Sequence, residues 1–341
     1  MSTVSTENEA TIQKTHYPLQ VAKRLEKFQR DWGGATNQKD GIINLGRGFP
    51  NFDGPEFIKE AAIQAIRDGK NQYARGFGVP ELNIAIADRF KKDTGIVVDP
   101  DKEVTVTNGC LEAIAATVLG LINPGDEVIL FTPLYDCYEA NLTMAGAKIK
   151  SISLHPPDFA VPIEKLKSIV SSNTRAILIN TPHNPTGKMF TLEELNAIAS
   201  LCIENDVLVF ADEAHSFVTF SSPNALQCAA AVALRAPDSY YVELKRDYIA
   251  KRAILVEGLK AVGFKVFPPN GTFFVLADHT HFGMENDVAF CKYLHKEVGV
   301  VAIPCSVFCL NPEEGKKLVR FVFCKDEETL RAAVERMKEK L

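Results

Sequence analysis

The sequence predicts an α/β fold with a parallel sheet and a smaller α+β unit. Residues 207–213, VLVFADE, form an apolar, β-branched and aromatic run that ends in two acids. Such a run is typical of a buried parallel strand with a carboxylate at its C-terminal edge. Residues 103–131 have the order strand, tight turn, helix, strand, which predicts a βαβ unit. From Pro237 onward, a long charged helix and several short strands predict the α+β unit.

The composition indicates a globular protein and excludes several classes of partner. The 341 residues, 46% of them hydrophobic and 24% charged, are enough for two domains. A formal net charge of −5 argues against nucleic acid and anionic membranes, because both require a basic surface. The eight cysteines are scattered without a CxxC spacing, which favours reduced thiols over disulfides or a zinc site. With no signal peptide and no membrane-length apolar run, we expect a cytoplasmic protein.

Periodicity and turn residues predict the elements of the first half. Residues 1–15 are polar, and we expect them to be disordered. The predicted elements that follow are a short helix at 16–28, a loop at Gly33 and Gly34, a strand and Gly/Pro turn within 41–52, a helix from Pro55, a helix from Pro80, a strand at 103–107, a turn at 108–110, a helix at 111–122 and a strand at 126–131. The turn at 108–110 would place backbone N–H groups and a helix N-terminus at the sheet edge, which suits a phosphate.

The second half continues the alternation of strands and helices. The predicted elements are a strand at 148–154, a helix at 163–171, a strand at 175–180, a loop at 181–188, and a helix that begins with a capping box of Thr191 and Glu194. After Glu213 the chain runs at once into an Ala-rich helical pattern, where further strands are expected. Helices at 238–262, 287–298 and 326–341 then flank the short strands.

Several motifs, taken together and in order, resemble a known family. They are INLGRGFPNF, NQYARGFG, TNGCLEAI, PLYDCYE, NTPHNPTGK, VFADE and RFVFCKDE. This order is similar to that of the class I aminotransferases, which are pyridoxal 5′-phosphate enzymes of fold type I. Within them the chain most resembles the kynurenine–oxoglutarate transaminases, also known as cysteine-S-conjugate β-lyases. The resemblance runs from about Gly41 to the C-terminus apart from one break.

The resemblance implies the architecture and the assembly. The expected fold is that of fold-type-I PLP-dependent transferases, a three-layer α/β/α large domain with an incomplete sheet and a smaller α+β domain. Residues 51–236 would form the large cofactor-binding domain. Residues 16–50 and 237–341 would form the small one. A homodimer, or a heterodimer with a full-length paralogue, is expected.

The resemblance also assigns residues to the cofactor, pyridoxal 5′-phosphate. Asp212 would pair with the ring nitrogen and keep it protonated, so that the ring acts as an electron sink. The other residues implied at the cofactor are Gly109 and Cys110 at the phosphate, Tyr135 stacked on the ring, Asn184 and His215 near the phenolic oxygen, and Tyr73, which would reach the phosphate of the other subunit. His215 stands where the family has tyrosine.

The amino acid and 2-oxo acid substrates are expected to meet a second set of residues. The resemblance assigns Gly48, Asn184 and Arg320 to substrate binding, with Arg320 gripping the α-carboxylate. An arginine inside the apolar strand LVRFVFC is costly to bury without such a partner. The family's glutamine in the N-L-G-Q-G turn is Arg47 here. The family helix before that turn, which helps to wall the substrate pocket, is replaced by the loop at Gly33 and Gly34.

The break in the resemblance removes the catalytic lysine. In the family, the segment after the DExY motif carries the lysine that links covalently to the cofactor, together with two strands of the sheet. Lys245 lies in a charged helical context that predicts a solvated face, and Lys188 belongs to the loop at 181–188, so neither is a substitute. We therefore expect no catalytic lysine, open sheet edges and a rate of transamination that is lower by orders of magnitude.

The functional expectation has alternatives. The chain would be an aminotransferase that moves an amino group from an aromatic or sulfur amino acid to a 2-oxo acid, in a shortened form with impaired or no activity. A non-catalytic dimer partner of a full-length paralogue and a PLP-dependent C–S lyase or cyclopropane-carboxylate synthase are the alternatives. A metal hydrolase is the most distant one, because His279 and His281 have no clear third ligand and are expected in a polar loop.

Overall fold

The structure is a computed structural model, and it describes residues 22–28, 41–214 and 224–341. The predictions for residues 1–15, for Gly33 and Gly34, and for His215 lie outside these ranges. None of the helices within them is long and apolar enough to cross a membrane.

The helices and strands alternate through the first part of the described chain and mix more irregularly in the last part. The α-helices are α1 (Glu56–Arg67), α2 (Pro80–Thr94), α3 (Gly109–Leu121), α4 (Cys137–Ala145), α5 (Ile163–Ile169), α6 (Leu192–Asn205), α7 (Asn224–Leu234), α8 (Asp238–Val262), α9 (Asp287–Tyr293) and α10 (Glu327–Lys340). The strands are β1 (Ile43–Asn44), β2 (Glu127–Thr132), β3 (Lys148–Ser153), β4 (Thr174–Asn180), β5 (Leu208–Asp212), β6 (Lys265–Phe267), β7 (Phe274–Asp278), β8 (Val300–Val301), β9 (Ile303–Pro304) and β10 (Leu318–Val322).

A four-stranded parallel sheet with the order β3-β2-β4-β5 forms the centre of the α/β part. One face packs against α3 and α4, through residues such as Val118 and Leu142. The other face packs against α5 and α6, through Leu166 and Ile198. These three layers are the predicted α/β/α arrangement. The predicted capping box of α6 is confirmed, because Glu194 N–H donates to Thr191 Oγ1 at 3.2 Å and Thr191 N–H donates to a Glu194 carboxylate oxygen at 2.8 Å.

The prediction of a strand at residues 103–107 is wrong. The segment has no ladder partner within the described ranges. Val106 N–H donates instead to Phe77 O at 3.0 Å, and Val104 O accepts from Asn83 Nδ2 at 3.0 Å. The sequence has the composition of a strand, but a strand forms only where a neighbouring strand supplies hydrogen bonds.

The α+β unit contains an antiparallel sheet with the order β6-β7-β10-β9. Strand β1 pairs in parallel with β8, so the beginning of the described chain lies beside its last part. Helices α8 and α10 cross closely at Gly258, where a Cβ atom would lie 2.3 Å from Val334 Cγ2. The two sheets share one core cluster, which includes Phe131 and Ile177 from the parallel sheet together with Phe267, Leu276 and Leu318.

Helices α1, α2 and α7 form a cluster apart from the parallel sheet. Its buried residues are Val79, Leu82, Ala85 and Ala231, and within the described chain none of them comes from β2–β5. Strand β5 is correspondingly uncovered, since Val209 is 43% exposed at the edge of the sheet. Apolar surface therefore remains open between the sheet and these helices.

The buried cysteines of the α+β unit predict a loss of stability at alkaline pH. Burial raises the pKa of Cys309 to about 12 and that of Cys324 to about 11, and it raises the pKa values of Cys291 and Cys305 well above their ordinary value of 9.0. The folded protein keeps these protons while the unfolded chain releases them near pH 9. The resulting stability is complete below pH 9 and decreases as the pH rises toward 11.

We expect the free energy of unfolding to fall by about 2 kcal/mol or more between pH 8.5 and pH 11. Urea unfolding at a series of pH values measures this change. In Cys324→Ala the decrease should be smaller, because one of the four thiols is gone. A free energy of unfolding that stays constant over this range would contradict the prediction. Burial lowers the pKa of the Lys325 ammonium, which makes the stability increase with pH, but this effect comes from a single group.

Candidate active site

The candidate site lies at the carboxyl ends of β4 and β5. Asn180 ends β4 and Asp212 ends β5, and the two residues face each other in register. The backbone oxygen of Asp212 accepts from Asn180 Nδ2 at 2.9 Å and from Thr181 N–H at 3.1 Å. These bonds fix the strand end that carries the carboxylate.

Three donors hold the Asp212 carboxylate. Tyr138 donates its phenolic O–H to Oδ2 in a short hydrogen bond. Oδ1 accepts from Ala214 N–H at 2.9 Å and from the Cys110 thiol at 3.7 Å. A carboxylate offers about four acceptor positions, so about one remains for another donor.

The N-terminus of α3 lies beside this carboxylate, because Cys110 is in its first turn. Gly109 opens the helix with φ +79°, a conformation that favours glycine. The cap residue Asn108 makes no side-chain hydrogen bond to the first turn. The first amide groups of a helix have no acceptor within the helix, and together with the helix dipole they favour an anion such as a phosphate.

Two tyrosine rings line the same region. Tyr135 is half-buried and meets the ring of Tyr138 edge-on, with centroids 5.8 Å apart and an angle of 84° between the planes. Burial raises the pKa of Tyr135 to about 12. It raises the pKa of Tyr138 even more, and the charge of Asp212 adds to the effect. Both phenols therefore keep their protons at neutral pH.

Arg320 is a buried cation on β10. It is 6% exposed, and its guanidinium lies over the rings of Phe274 and Phe308 at 4.2 and 4.6 Å. Nη1 donates to Asn184 Oδ1 at 2.7 Å and Nη2 donates to Gly46 O at 3.4 Å, whereas Nε has no partner. Burial lowers the pKa of Arg320 to about 10, so it remains charged at neutral pH. A buried guanidinium with an unpaired N–H is suited to a carboxylate ligand.

A chain of hydrogen bonds connects Arg320 to Asp212. Asn184 accepts from Arg320 through its side chain, and its backbone N–H donates to Asn180 Oδ1 at 2.7 Å. Asn180 in turn donates to the backbone of Asp212. The structure therefore brings Asp212, Asn184 and Arg320 together, although they are far apart in the sequence.

Gly48 borders the Arg320 side of this region. A Cβ atom at Gly48 would lie 2.7 Å from the ring of Phe273 and 3.1 Å from the ring of Phe274. Phe274 is one of the rings on which the Arg320 guanidinium lies. A larger residue at position 48 would therefore press on this aromatic wall.

Tyr73 and the two lysines considered from the sequence lie elsewhere. Tyr73 is fully exposed in the loop between α1 and α2. Lys188 is buried, and its ammonium forms an ion pair with Glu194 at 2.9 Å. Lys245 is exposed on α8, as the sequence predicts. Neither lysine contacts Asp212 in the described structure.

His279 differs from the sequence-based expectation of a polar loop. Its side chain is 1% exposed and stacks on Phe290, with centroids 4.8 Å apart. One ring nitrogen lies 2.9 Å from Lys316 O. The imidazole is thus part of the core of the α+β unit.

Sequence reasoning missed Tyr138 and Asn180. Both are buried and both contact Asp212 directly. Asn180 carries a signal that could have been used, since a polar residue that ends an apolar parallel strand lies at the ligand-binding edge of the sheet. For Tyr138, the only signal in the sequence is its position in the motif PLYDCYE.

Comparisons with known proteins agree with this geometry. The model of the family "Aminotransferase class I and II" matches residues 40–223 and 216–337. Methionine aminotransferase of Escherichia coli is 33% identical, and the alignment covers 89% of this chain and 94% of that protein. A probable N-succinyldiaminopimelate aminotransferase DapC of Mycobacterium tuberculosis is 35% identical, with coverages of 87% and 92%. Human kynurenine–oxoglutarate transaminase 3 is 33% identical, with coverages of 96% and 92%.

A solved structure shows the same fold. The crystal structure of YbdL from Escherichia coli, for which a methionine aminotransferase function was identified, has a TM-score of 0.87 and 31% identity. The comparison covers 94% of this chain and all of that one. The chain therefore belongs to the class I and II aminotransferases, enzymes of the fold-type-I group whose cofactor is pyridoxal 5′-phosphate.

Proposed function

We propose that the protein is an aminotransferase of the kynurenine–oxoglutarate transaminase type, in a shortened form that lacks the catalytic lysine and has impaired or no activity. The observation that carries the proposal is the junction after Asp212. Asp212 ends strand β5 at the edge of the parallel sheet, and within the described residues β5 pairs only with β4. The amino donor would be an aromatic or sulfur amino acid, and the acceptor a 2-oxo acid.

The residues at the candidate site fit the cofactor. Asp212 has about one acceptor position left for the ring nitrogen. The first turn of α3, which begins with Gly109 and Cys110, would bind the phosphate through the backbone N–H groups that follow Gly109, because the Gly109 N–H donates to Thr107 O at 2.9 Å. Tyr135 offers a flat face to the ring. When bound, pyridoxal phosphate supplies an electron sink for chemistry at the α-carbon of an amino acid.

The residues proposed to bind the substrate fit a carboxylate group. The orphaned Nε of Arg320, together with Asn184, would bind the α-carboxylate, and the surrounding rings of Phe274 and Phe308 would exclude water. Asn184 would also lie near the phenolic oxygen of the cofactor. Gly48 would leave room for the substrate beside the aromatic wall.

Two features of the comparisons support an internal deletion. The family model matches in two pieces, residues 40–223 and 216–337, which overlap at residues 216–223 near the proposed junction. The alignment with the Escherichia coli relative spans 362 positions, whereas 89% of the 341 residues is about 303, so about 59 positions hold no residue of this chain.

The structure supports the same deletion independently. Helix α3 is strongly apolar, yet Leu111, Leu119 and Leu121 are each more than 40% exposed. Within the described residues, the buried side chains of the cluster of α1, α2 and α7 include none from the sheet, and the outer edge of β5 has no partner strand. Two additional strands between these surfaces would cover them.

We further propose that the chain forms a homodimer and is divided into a large domain (51–236) and a small domain (16–50 with 237–341). The full exposure of Tyr73 is consistent with a residue that reaches a second subunit. The pairing of β1 with β8 supports the grouping of the small domain. His215, which would lie near the cofactor oxygen, remains a proposal from the sequence.

Borohydride reduction tests the proposed loss of the lysine. The purified protein is incubated with pyridoxal 5′-phosphate, reduced and analysed by peptide mass spectrometry, with Escherichia coli methionine aminotransferase as the positive control. We expect a single stoichiometric phosphopyridoxyl-lysine in the control and no such site-specific adduct in this protein, because non-specific surface lysines react only in part. A stoichiometric adduct on one lysine would refute the proposal.

Turnover assays distinguish the donor classes. Kynurenine, methionine and N-succinyldiaminopimelate are each offered with 2-oxoglutarate, since relatives of all three kinds have similar identity. A rate below about 1% of the control enzyme is expected for each donor. Any residual turnover should be greatest with kynurenine. Release of pyruvate from a cysteine S-conjugate would instead favour the lyase, and co-purification with a longer paralogue would favour the partner role.

A further inference from the structure

Tyr138 makes the most direct side-chain contact with the residue proposed to pair with the cofactor ring. Its side chain is 2% exposed on α4, and its phenolic O–H donates to Asp212 Oδ2. The hydroxyl comes from a different layer of the fold than the strand that carries Asp212. It therefore fixes the carboxylate from outside its own strand.

The three donors to the Asp212 carboxylate differ in strength and in how rigidly they are held. Ala214 N–H is only two residues away and follows any movement of the strand end. The Cys110 thiol is a weak donor at 3.7 Å, on an exposed residue. Tyr138 lies on α4 within a buried core cluster that also includes residues of α3, β2 and β4, so it alone combines a strong donor with a rigid position.

The geometry points to Tyr138 as a positioning residue that orients the Asp212 carboxylate toward the ring nitrogen of the cofactor. This inference rests on the proposed cofactor site. A carboxylate fixed at Oδ2 by a phenol and at Oδ1 by a backbone N–H has little rotational freedom. The remaining acceptor position then points in one direction. Because the phenol keeps its proton at neutral pH, it can donate to the carboxylate there.

A pair of ligands isolates this effect without activity. Pyridoxine 5′-phosphate has an alcohol in place of the aldehyde, so its binding does not require a lysine. Its 1-deaza analogue has a carbon in place of the ring nitrogen but keeps the phosphate and the ring. The ratio of their dissociation constants, measured by isothermal titration calorimetry, reports the contact at the ring nitrogen alone. We expect the unmodified protein to prefer the nitrogen compound by about 30-fold, the effect of a charged hydrogen bond.

In Tyr138→Phe this preference should fall about 5- to 10-fold, while the affinity for the deaza analogue stays within about twofold. Tyr138→His, which restores a donor, should recover part of the preference. Tyr241→Phe is the matched control, because it removes a half-buried hydroxyl that donates to Ala233 O at 2.7 Å on another part of the chain. It should leave both affinities unchanged.

The outcomes separate the inference from the proposed function. If both ligands lose affinity equally in Tyr138→Phe, the tyrosine has only a structural role and the inference is refuted. An unchanged ratio in Tyr138→Phe also refutes it. If neither ligand binds to the unmodified protein, the proposed cofactor site itself is wrong. Should Tyr138→Phe fail to fold, the ratio in Tyr138→His decides, and a loss as large as in Asp212→Asn would contradict the inference.

Discussion

Replacing Lys188 by methionine is expected to lower the free energy of unfolding by about 3–5 kcal/mol, the usual cost of breaking a buried ion pair. The side chains of Lys188 and Glu194 are only 5% and 10% exposed. The substitution would leave the Glu194 carboxylate without its cation. Two backbone N–H groups, from Val161 and Thr191, would still donate to it at 2.8 Å each. Urea unfolding monitored by circular dichroism measures the change.

Two further variants make this result specific. Lys188→Met combined with Glu194→Gln should recover about half of the lost free energy, because the uncompensated charge is removed as well. Lys167→Met breaks an ion pair with Glu164 at 2.8 Å, but both partners are exposed. It should therefore cost less than about 0.5 kcal/mol. Equal losses in Lys167→Met and Lys188→Met would show that burial does not determine the effect.

Arg320→Leu should weaken the binding of 2-oxoglutarate by about 100-fold or more, because a buried carboxylate would lose its bidentate cation. Stability should change by less than about 2 kcal/mol. Removing a buried cation without a counter-ion is favourable, and this gain offsets the loss of the donor to Asn184. Calorimetric titration of the protein loaded with pyridoxamine 5′-phosphate measures the affinity.

A surface arginine provides the comparison. Arg331 on α10 pairs with Glu327 at 3.2 Å, and both side chains are at least half exposed. Arg331→Leu should leave the affinity for 2-oxoglutarate unchanged. If Arg320→Leu binds the 2-oxo acid as well as the unmodified protein does, Arg320 is not the carboxylate-binding residue.

Patterns that are local in the sequence predicted much of the fold. The bounds of α8, the strands β2 to β5 and the capping box of α6 agree with the structure, because periodicity and caps act within a few residues. The strand prediction for residues 103–107 failed for a physical reason. Its composition favours a strand, but strand formation depends on a partner that no local pattern reveals.

The site was harder to predict than the fold. The contact between Arg320 and Asn184 joins residues 136 positions apart, and only the family resemblance suggested it. The contact of Tyr138 with Asp212 was not predicted, because a buried tyrosine in an apolar pattern is typically part of the core. The roles of Tyr73 and His215 remain predictions, since they depend on a second subunit and on residues outside the described ranges.

The open side of β5 has a consequence for the behaviour of the protein in a crowded solution. Within the described ranges this strand pairs only with β4, and its exposed face includes Val209. An unpaired edge with apolar side chains can accept any extended chain that offers matching backbone groups. Association through this edge depends on how often such a chain is encountered, so we expect the aggregation of this protein to increase with its concentration.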